Sequence, residues 1–293
     1  MQFWRLIYSG PGQPYWNMAV DEMLFKRCQE NQNFPPTLRI YDWSEPAFSL
    51  GYFQDIQQAL NLEKTQKEGL KVVRRMTGGR AVLHYSELTY SVVANSSRNP
   101  ELGFSLAETY RQLSLALARS LELLGIRAEY KKGKVSQIPA RSFYAHPCFN
   151  SVSRFELTAK GKKLAGSAQR RTRDCFIQQG SLPLKNGCLD INDYLVIPKK
   201  NQPEKHSWDE KSTTLSAAAG RRIELSEARD CLSRGFEEFF KVEFMKEGLS
   251  RPELLSTFRL EREKYSQSSW NYGRPDIKYP SQPPSQQEQV TLA

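Results

Sequence analysis

Between Ser105 and Leu124, the apolar residues Leu106, Tyr110, Leu113, Leu117, Leu121 and Leu124 return with the period of an α-helix. No other stretch limits the fold as much, because a long helix with one apolar face must cover an apolar surface of similar length. Ser105 and Glu108 have capping-box spacing, and Gly125 suits the position just past a helix end. The surface to be covered is a sheet. Strand-like runs precede the helix at Thr37–Tyr41, Ser49–Phe53, Lys71–Arg75, Arg80–Tyr85 and Leu88–Ala94. After it, Phe155–Ala159, a Lys160-Gly161 turn and Lys162–Gly166 read as a hairpin, and Cys175–Leu184 as a further strand. Other helices are expected at Asn17–Gln29, with Asn17 as N-cap, at Ser226–Phe240 and at Arg251–Lys264. Tyr194–Ser212 reads as an exposed loop, and Asp276–Ala293, rich in Pro, Gln and Ser, as disordered.

A chain of 293 residues with 39% hydrophobics fills one large domain with an extension, or two smaller ones. The five cysteines are odd in number and widely spaced, no C-x-x-C occurs, and histidines number three. No metal site and no disulfide framework are expected, and reduced thiols point to a cytoplasmic protein. The start lacks the layout of a signal peptide, and no window approaches a membrane span. The net charge of +10 suits an acidic partner: nucleic acid, an anionic membrane surface or an acidic protein.

Three stretches carry chemistry. In Arg74-Arg75-Met76-Thr77-Gly78-Gly79-Arg80-Ala81-Val82-Leu83-His84, the paired glycines let backbone approach a ligand and the arginines can hold an anion. The spacing is not that of a Walker loop, and an isolated copy would read as a hairpin turn with solvated arginines. In Lys162-Lys163-Leu164-Ala165-Gly166-Ser167-Ala168-Gln169, a lysine leads into small residues whose N–H groups can face a carbonyl. A surface hairpin is the plainer alternative. In His146-Pro147-Cys148-Phe149-Asn150, the thiol sits in a loop rather than on an apolar face, a setting that suits either a nucleophile or a free cysteine without function.

Together these stretches, with Asn17-Met18-Ala19-Val20-Asp21-Glu22 and Ser49-Leu50-Gly51-Tyr52-Phe53-Gln54, resemble in order and interval the motifs of the lipoate–protein ligase and octanoyltransferase superfamily. Lys264-Tyr265 and Trp270-Asn271-Tyr272-Gly273 resemble that family's C-terminal ending. The resemblance implies the catalytic-domain fold shared with biotin ligases, of class α+β: a mixed β-sheet with helices packed on one side. It also implies attachment of an eight-carbon acyl group to one lysine of a lipoyl domain or glycine-cleavage H protein. The domains expected are 1–248 for catalysis, 249–275 as a short helical extension and 276–293 as a tail.

Cys148 lies where the cysteine-dependent, LipM-type octanoyltransferases carry a nucleophile, before the Gly-Lys-Lys hairpin. The other transferase type carries its cysteine downstream of the lysine, and Cys175 falls near that place without the histidine that usually follows. The resemblance therefore favours transfer from octanoyl–acyl carrier protein through a Cys148 thioester, with no cofactor. ATP and Mg²⁺ would enter only in the alternative, a lipoate ligase acting through an acyl-adenylate. A basic nucleic-acid-binding module is the remote third reading, without a recognition motif to support it. Lys163 is expected beside Cys148, and N–H groups near Gly166, Ser167 and Ala168 at the oxyanion. Gly78, Gly79 and His84 are expected to shape the acyl pocket, and Arg74 to stand near its mouth. The carrier and the lipoyl acceptor are typically acidic, so protein docking explains the positive charge better than nucleic acid or membrane does.

Overall fold

The computed structural model describes residues 2–132, 155–187, 189–196 and 211–273. Strand β1 (Gln2–Gly12) leads into helix α1 (Pro14–Glu30). Gln13, not Asn17, is the N-cap, because Pro14 presets the φ of the first turn three residues earlier. Asn17 is buried inside α1, where its amide donates to the Gly12 and Asp42 carbonyls.

The central sheet has six strands: β1, β2 (Thr37–Trp43), β6 (Glu87–Asn95), β10 (Gly166–Arg171), β11 (Cys175–Pro183) and β12 (Val242–Lys246). Their order is β10-β11-β6-β2-β1-β12. Pairing is antiparallel from β10 to β2 and parallel from β2 to β12, so the sheet is mixed. A second sheet joins β3 (Ala47–Leu50), β4 (Lys71–Arg74) and β5 (Val82–His84) in the order β4-β3-β5. The connection through Met76–Gly79 is therefore not a hairpin: β3 lies between the two strands that it links. A third sheet holds β7 (Glu129–Lys132), β8 (Phe155–Ala159) and β9 (Lys162–Lys163). Lys160 and Gly161, both at positive φ, make the expected tight turn between β8 and β9.

Side-chain alternation sends successive strand residues to opposite faces. Leu88, Tyr90, Val92 and Ala94 of β6 face helix α4 (Leu106–Leu123) and helix α6 (Leu225–Phe240), while Val93, with Ile7 and Ile177, packs against α1. Helices thus cover both faces, α4 and α6 on one and α1 on the other. Ser105 caps α4 with the full capping box, and Gly125 takes positive φ after it. Leu106 is exposed, since the first turn overhangs the core, and Leu113, Leu117, Leu121 and Leu124 are buried.

Short helices α2 (Ile56–Ala59) and α3 (Leu62–Lys67) flank the second sheet, and α5 (Leu215–Ala219) precedes α6. Tyr194 is buried against Phe48, so the segment expected as an exposed loop begins inside the fold; 197–210 lie outside the described residues. Helix α7 (Arg251–Leu260) runs into a π-helical turn at Glu261–Tyr265 and then α8 (Ser268–Tyr272). This extension is anchored on the sheet and α1 by Arg5–Glu253 and Glu22–Lys264 ion pairs and by Tyr265 on Glu22. Among the described residues, no helix is long and apolar enough to cross a membrane.

Candidate active site

A cavity of about 450 Å³, its open mouth included, lies where β10 and β11 approach the second sheet and α1. Met18, Tyr41, Trp43, Val82 and Ala168 form much of its wall. Of the residues expected at the site, His84, Gly166, Ser167 and Ala168 line it. Gly166 to Ala168 open β10, the edge strand of the central sheet, so alternate N–H groups there point out of the ladder.

Gly78 and Gly79 stand behind this wall. A Cβ on Gly79, which has φ of +88°, would lie 2.8 Å from Arg75 Nη2 and 3.5 Å from the Ala168 Cβ. A Cβ on Gly51 would lie 2.0 Å from the Gly79 carbonyl oxygen, so the two glycine-bearing loops pack backbone to backbone.

Arg74 does not stand at the mouth. It is fully buried, and its guanidinium donates to the carbonyls of Gly51, Tyr52, Gln54, Trp270, Asn271 and Gly273. Burial lowers its pKa from the usual arginine value. Arg75 takes the cavity position instead, donating to the Ser49 Oγ and to the carbonyls of Ser49, Gly78 and Arg80. Adjacent strand residues point opposite ways, and the sequence does not say which way is inward.

Lys163 is 7% exposed, on β9, and does not line this cavity; it stands three residues before Gly166. Its carbonyl accepts from the Thr213 N–H at 2.8 Å, which ties β9 to the segment entering α5. Cys148 and His146 lie outside the described residues. Cys175 is 3% exposed and belongs to the core under α1, with its Sγ 2.9 Å from that of Cys28. The hydrogen bond with Cys175 and burial both push the Cys28 thiol up. Gln179, the first cavity residue of β11, stands four positions beyond Cys175, roughly 13 Å of strand.

Two buried carboxylates organise the polar side of the wall. Asp21 of α1 accepts from Arg39 (2.7 Å), Ser91 (2.8 Å), Tyr41 (2.9 Å) and Gln179 (2.6 Å). Burial, then the Asp21 charge, raises the Tyr41 phenol well above its ordinary value. Glu87 of β6 accepts from Thr89 (2.6 Å) and Ser181, and meets His84 Nδ1 at 2.6 Å. Burial pushes the Glu87 carboxyl up, but His84 and the hydrogen bonds from His84, Ser181 and Thr89 outweigh it and hold it below the ordinary range. His84 Nε2 meets Ser49 Oγ at 2.7 Å, and the ring stacks on Trp43 at 3.8 Å. Trp43 Nε1 donates to Thr89. Among the described residues, every polar side chain lining the cavity therefore has a partner inside the protein, including Ser167, whose Oγ lies 3.0 Å from the Tyr90 hydroxyl.

The sequence reading missed Trp43, Glu87, Gln179 and Ser181, and named Arg75 only among the motif's arginines, with Arg74 chosen for the site. Of these only Arg75 carried a signal, as a charged residue ending a strand-like run, where a charge is buried only with a partner; Glu87 fell just outside the run that starts at Leu88.

Residues 13–237 match the family model for the lipoyl protein ligase A/B catalytic domain. A relative from Brevibacillus brevis, named octanoyltransferase LipM, is 36% identical over 280 residues, 94% of this chain and all of the relative. A Bacillus subtilis relative of the same name is 35% identical over 92% of this chain and 98% of its own. Among solved structures, a lipoate-protein ligase A bound with ATP superposes with a TM-score of 0.77 at 23% identity, covering 94% of this chain and all of that one. An archaeal bipartite lipoate protein ligase from Thermoplasma acidophilum gives 0.77 at 23% identity, over 95% of this chain and 99% of its own. These two likenesses concern the fold.

Proposed function

The chain belongs to the lipoyl protein ligase A/B catalytic-domain family, and from that membership we propose that it transfers an octanoyl group in protein lipoylation through a thioester on Cys148. The activity is that of an octanoyltransferase. The donor is octanoyl–acyl carrier protein, and the acceptor is a lysine of a lipoyl domain or H protein.

One observation carries the acyl reading: among the described residues, the cavity's polar side chains are all engaged within the protein. An alkyl chain entering it strands no hydrogen-bonding group and gains roughly 0.8 kcal/mol per methylene. Gly166, Ser167 and Ala168 bring edge-strand N–H groups to that cavity, where a thioester carbonyl would be polarised.

The Cys148 thiolate attacks the donor carbonyl, a new carbon–sulfur bond forms, and the carrier's thiolate leaves. The acceptor amine then attacks the enzyme thioester, the amide forms, and the Cys148 thiolate leaves in turn. The proton lost by the amine passes to water, or to Lys163 when its amine is neutral. Thioester exchange is nearly balanced in free energy, and amide formation drives the second step, so the route uses no ATP.

The test is to incubate the protein with octanoyl–acyl carrier protein, without ATP, and weigh it intact. One octanoyl group is gained by the native chain and by Cys175→Ala, and none by Cys148→Ala. Lipoyl-domain acylation that requires ATP and free acid would replace this reading with the ligase one.

A further inference from the structure

Glu87 joins elements that are far apart in the chain. Its carboxylate takes hydrogen bonds from Thr89 on its own strand, Ser181 on β11 and His84 on β5. A carboxylate only accepts, so His84 Nδ1 carries a proton whatever the charge of the ring. His84 Nε2 meets Ser49 Oγ at 2.7 Å, and Arg75 Nη1 donates to that same oxygen at 3.0 Å. The Ser49 hydroxyl proton is then available to Nε2. The other Arg75 amino group holds the carbonyls of Gly78 (2.7 Å) and Arg80 (2.8 Å). The chain of bonds runs from the central sheet, through the cavity wall, to the glycine turn.

We propose that Glu87 is the positioning residue of the acyl cavity: it holds His84 in the Nδ1–H form, and through Ser49 and Arg75 it sets where the Gly78–Gly79 turn stands against Ala168. Glu87 touches no part of the bound acyl group and acts through His84. The second arm reinforces the first. Thr89 accepts from Trp43 Nε1 while donating to Glu87, so one carboxylate orients both rings of the stacked Trp43–His84 wall. Removing the carboxylate unties both rings together.

The inference rests on the octanoyltransferase reading only for its kinetic readout. In Glu87→Ala the KM for octanoyl–acyl carrier protein rises about tenfold or more, with kcat changed less, as expected when a buried hydrogen-bonded carboxylate is lost from a binding wall. Glu87→Gln recovers most of the loss, because its amide oxygen still accepts from His84 Nδ1. Ser49→Ala breaks the same chain one bond further on. Combined with Glu87→Ala it adds little, whereas two independent structural losses would multiply. A readout free of turnover is nitrogen-15 NMR of the imidazoles, assigned with a His84→Gln control. His84 is protonated at Nδ1 in the native protein and in Glu87→Gln, and loses that preference in Glu87→Ala.

Native kinetics in a folded Glu87→Ala variant, or a native His84 with Nδ1 bare, overturns the proposal. So does a Glu87→Gln variant that folds but is as impaired as the alanine. If Glu87→Ala does not fold, Glu87→Gln, Ser49→Ala and the native tautomer decide. If the native protein transfers no octanoyl group, the functional reading fails and the tautomer measurement still tests Glu87.

Discussion

Arg74 and Arg75 show how much depends on one residue's direction. Arg74 ties the Gly51 loop to the chain end by donating to six carbonyls, whereas Arg75 serves the cavity. Each buried carbonyl left unpaired costs about 1–3 kcal/mol where water cannot replace the donor. Arg74→Met is therefore expected to lower the melting temperature and to free Trp270–Gly273 to protease, while octanoate binding by the surviving folded protein changes little. A large loss of binding with an undisturbed chain end would contradict this assignment. Cys175→Ser is expected to keep transferase activity within a few-fold, because the thiol sits under α1 beside Cys28 and away from the cavity. Gly180 is constrained by a different contact, since a Cβ there would lie 2.3 Å from the buried Tyr90 ring. Gly180→Ala should cost about 1–3 kcal/mol in denaturant unfolding, as overpacking does.

At the scale of elements, the C-terminal extension is held by charge as well as packing. Burial pushes the Glu22 carboxyl up, but the ion pair and hydrogen bond from Lys264, with help from Tyr265 and Lys26, hold it below its ordinary range. A carboxyl whose folded value lies below its unfolded one stabilises fully above about pH 4.3, and that stabilisation fades as pH falls through the folded value. Hydrogen-exchange protection of 261–273, relative to the intrinsic rate at each pH, should fall across that acid window. Glu22→Gln should show faster exchange already at neutral pH, with weaker acid dependence. Helix α4 needs no such partner, because its capping box and apolar face are written locally. The Met76–Gly79 connection is the contrasting case. Two strands with a glycine turn between them look like a hairpin, and the insertion of β3 between β4 and β5 leaves no local trace.

Across the whole molecule, the net charge of +10 would favour docking with an acidic carrier and acceptor in the proposed reaction. The KM for octanoyl–acyl carrier protein should rise with salt as the Debye length shrinks from about 10 Å at 0.1 M to about 3 Å at 1 M, with kcat nearly constant. A KM indifferent to salt would assign recognition to apolar contact alone. The cavity itself is a product of the whole fold, since α1, β2, β3, β5, β6, β10 and β11 all contribute to its lining.

By itself the sequence determined the elements with strong local signals: the capped helix α4, the Lys160-Gly161 turn, and the glycine and lysine motifs that mark the family. These depend on periodicity, capping and turn chemistry between residues close in the chain. Only the tertiary structure decided that Arg75 rather than Arg74 faces the cavity, that the Cys175 thiol lies against that of Cys28, and that Glu87 is hydrogen-bonded to His84, Ser181 and Thr89. The physical reason is common to all three. A strand's two faces are equivalent until another layer buries one of them, and a charge inside that layer must find its partner across the fold.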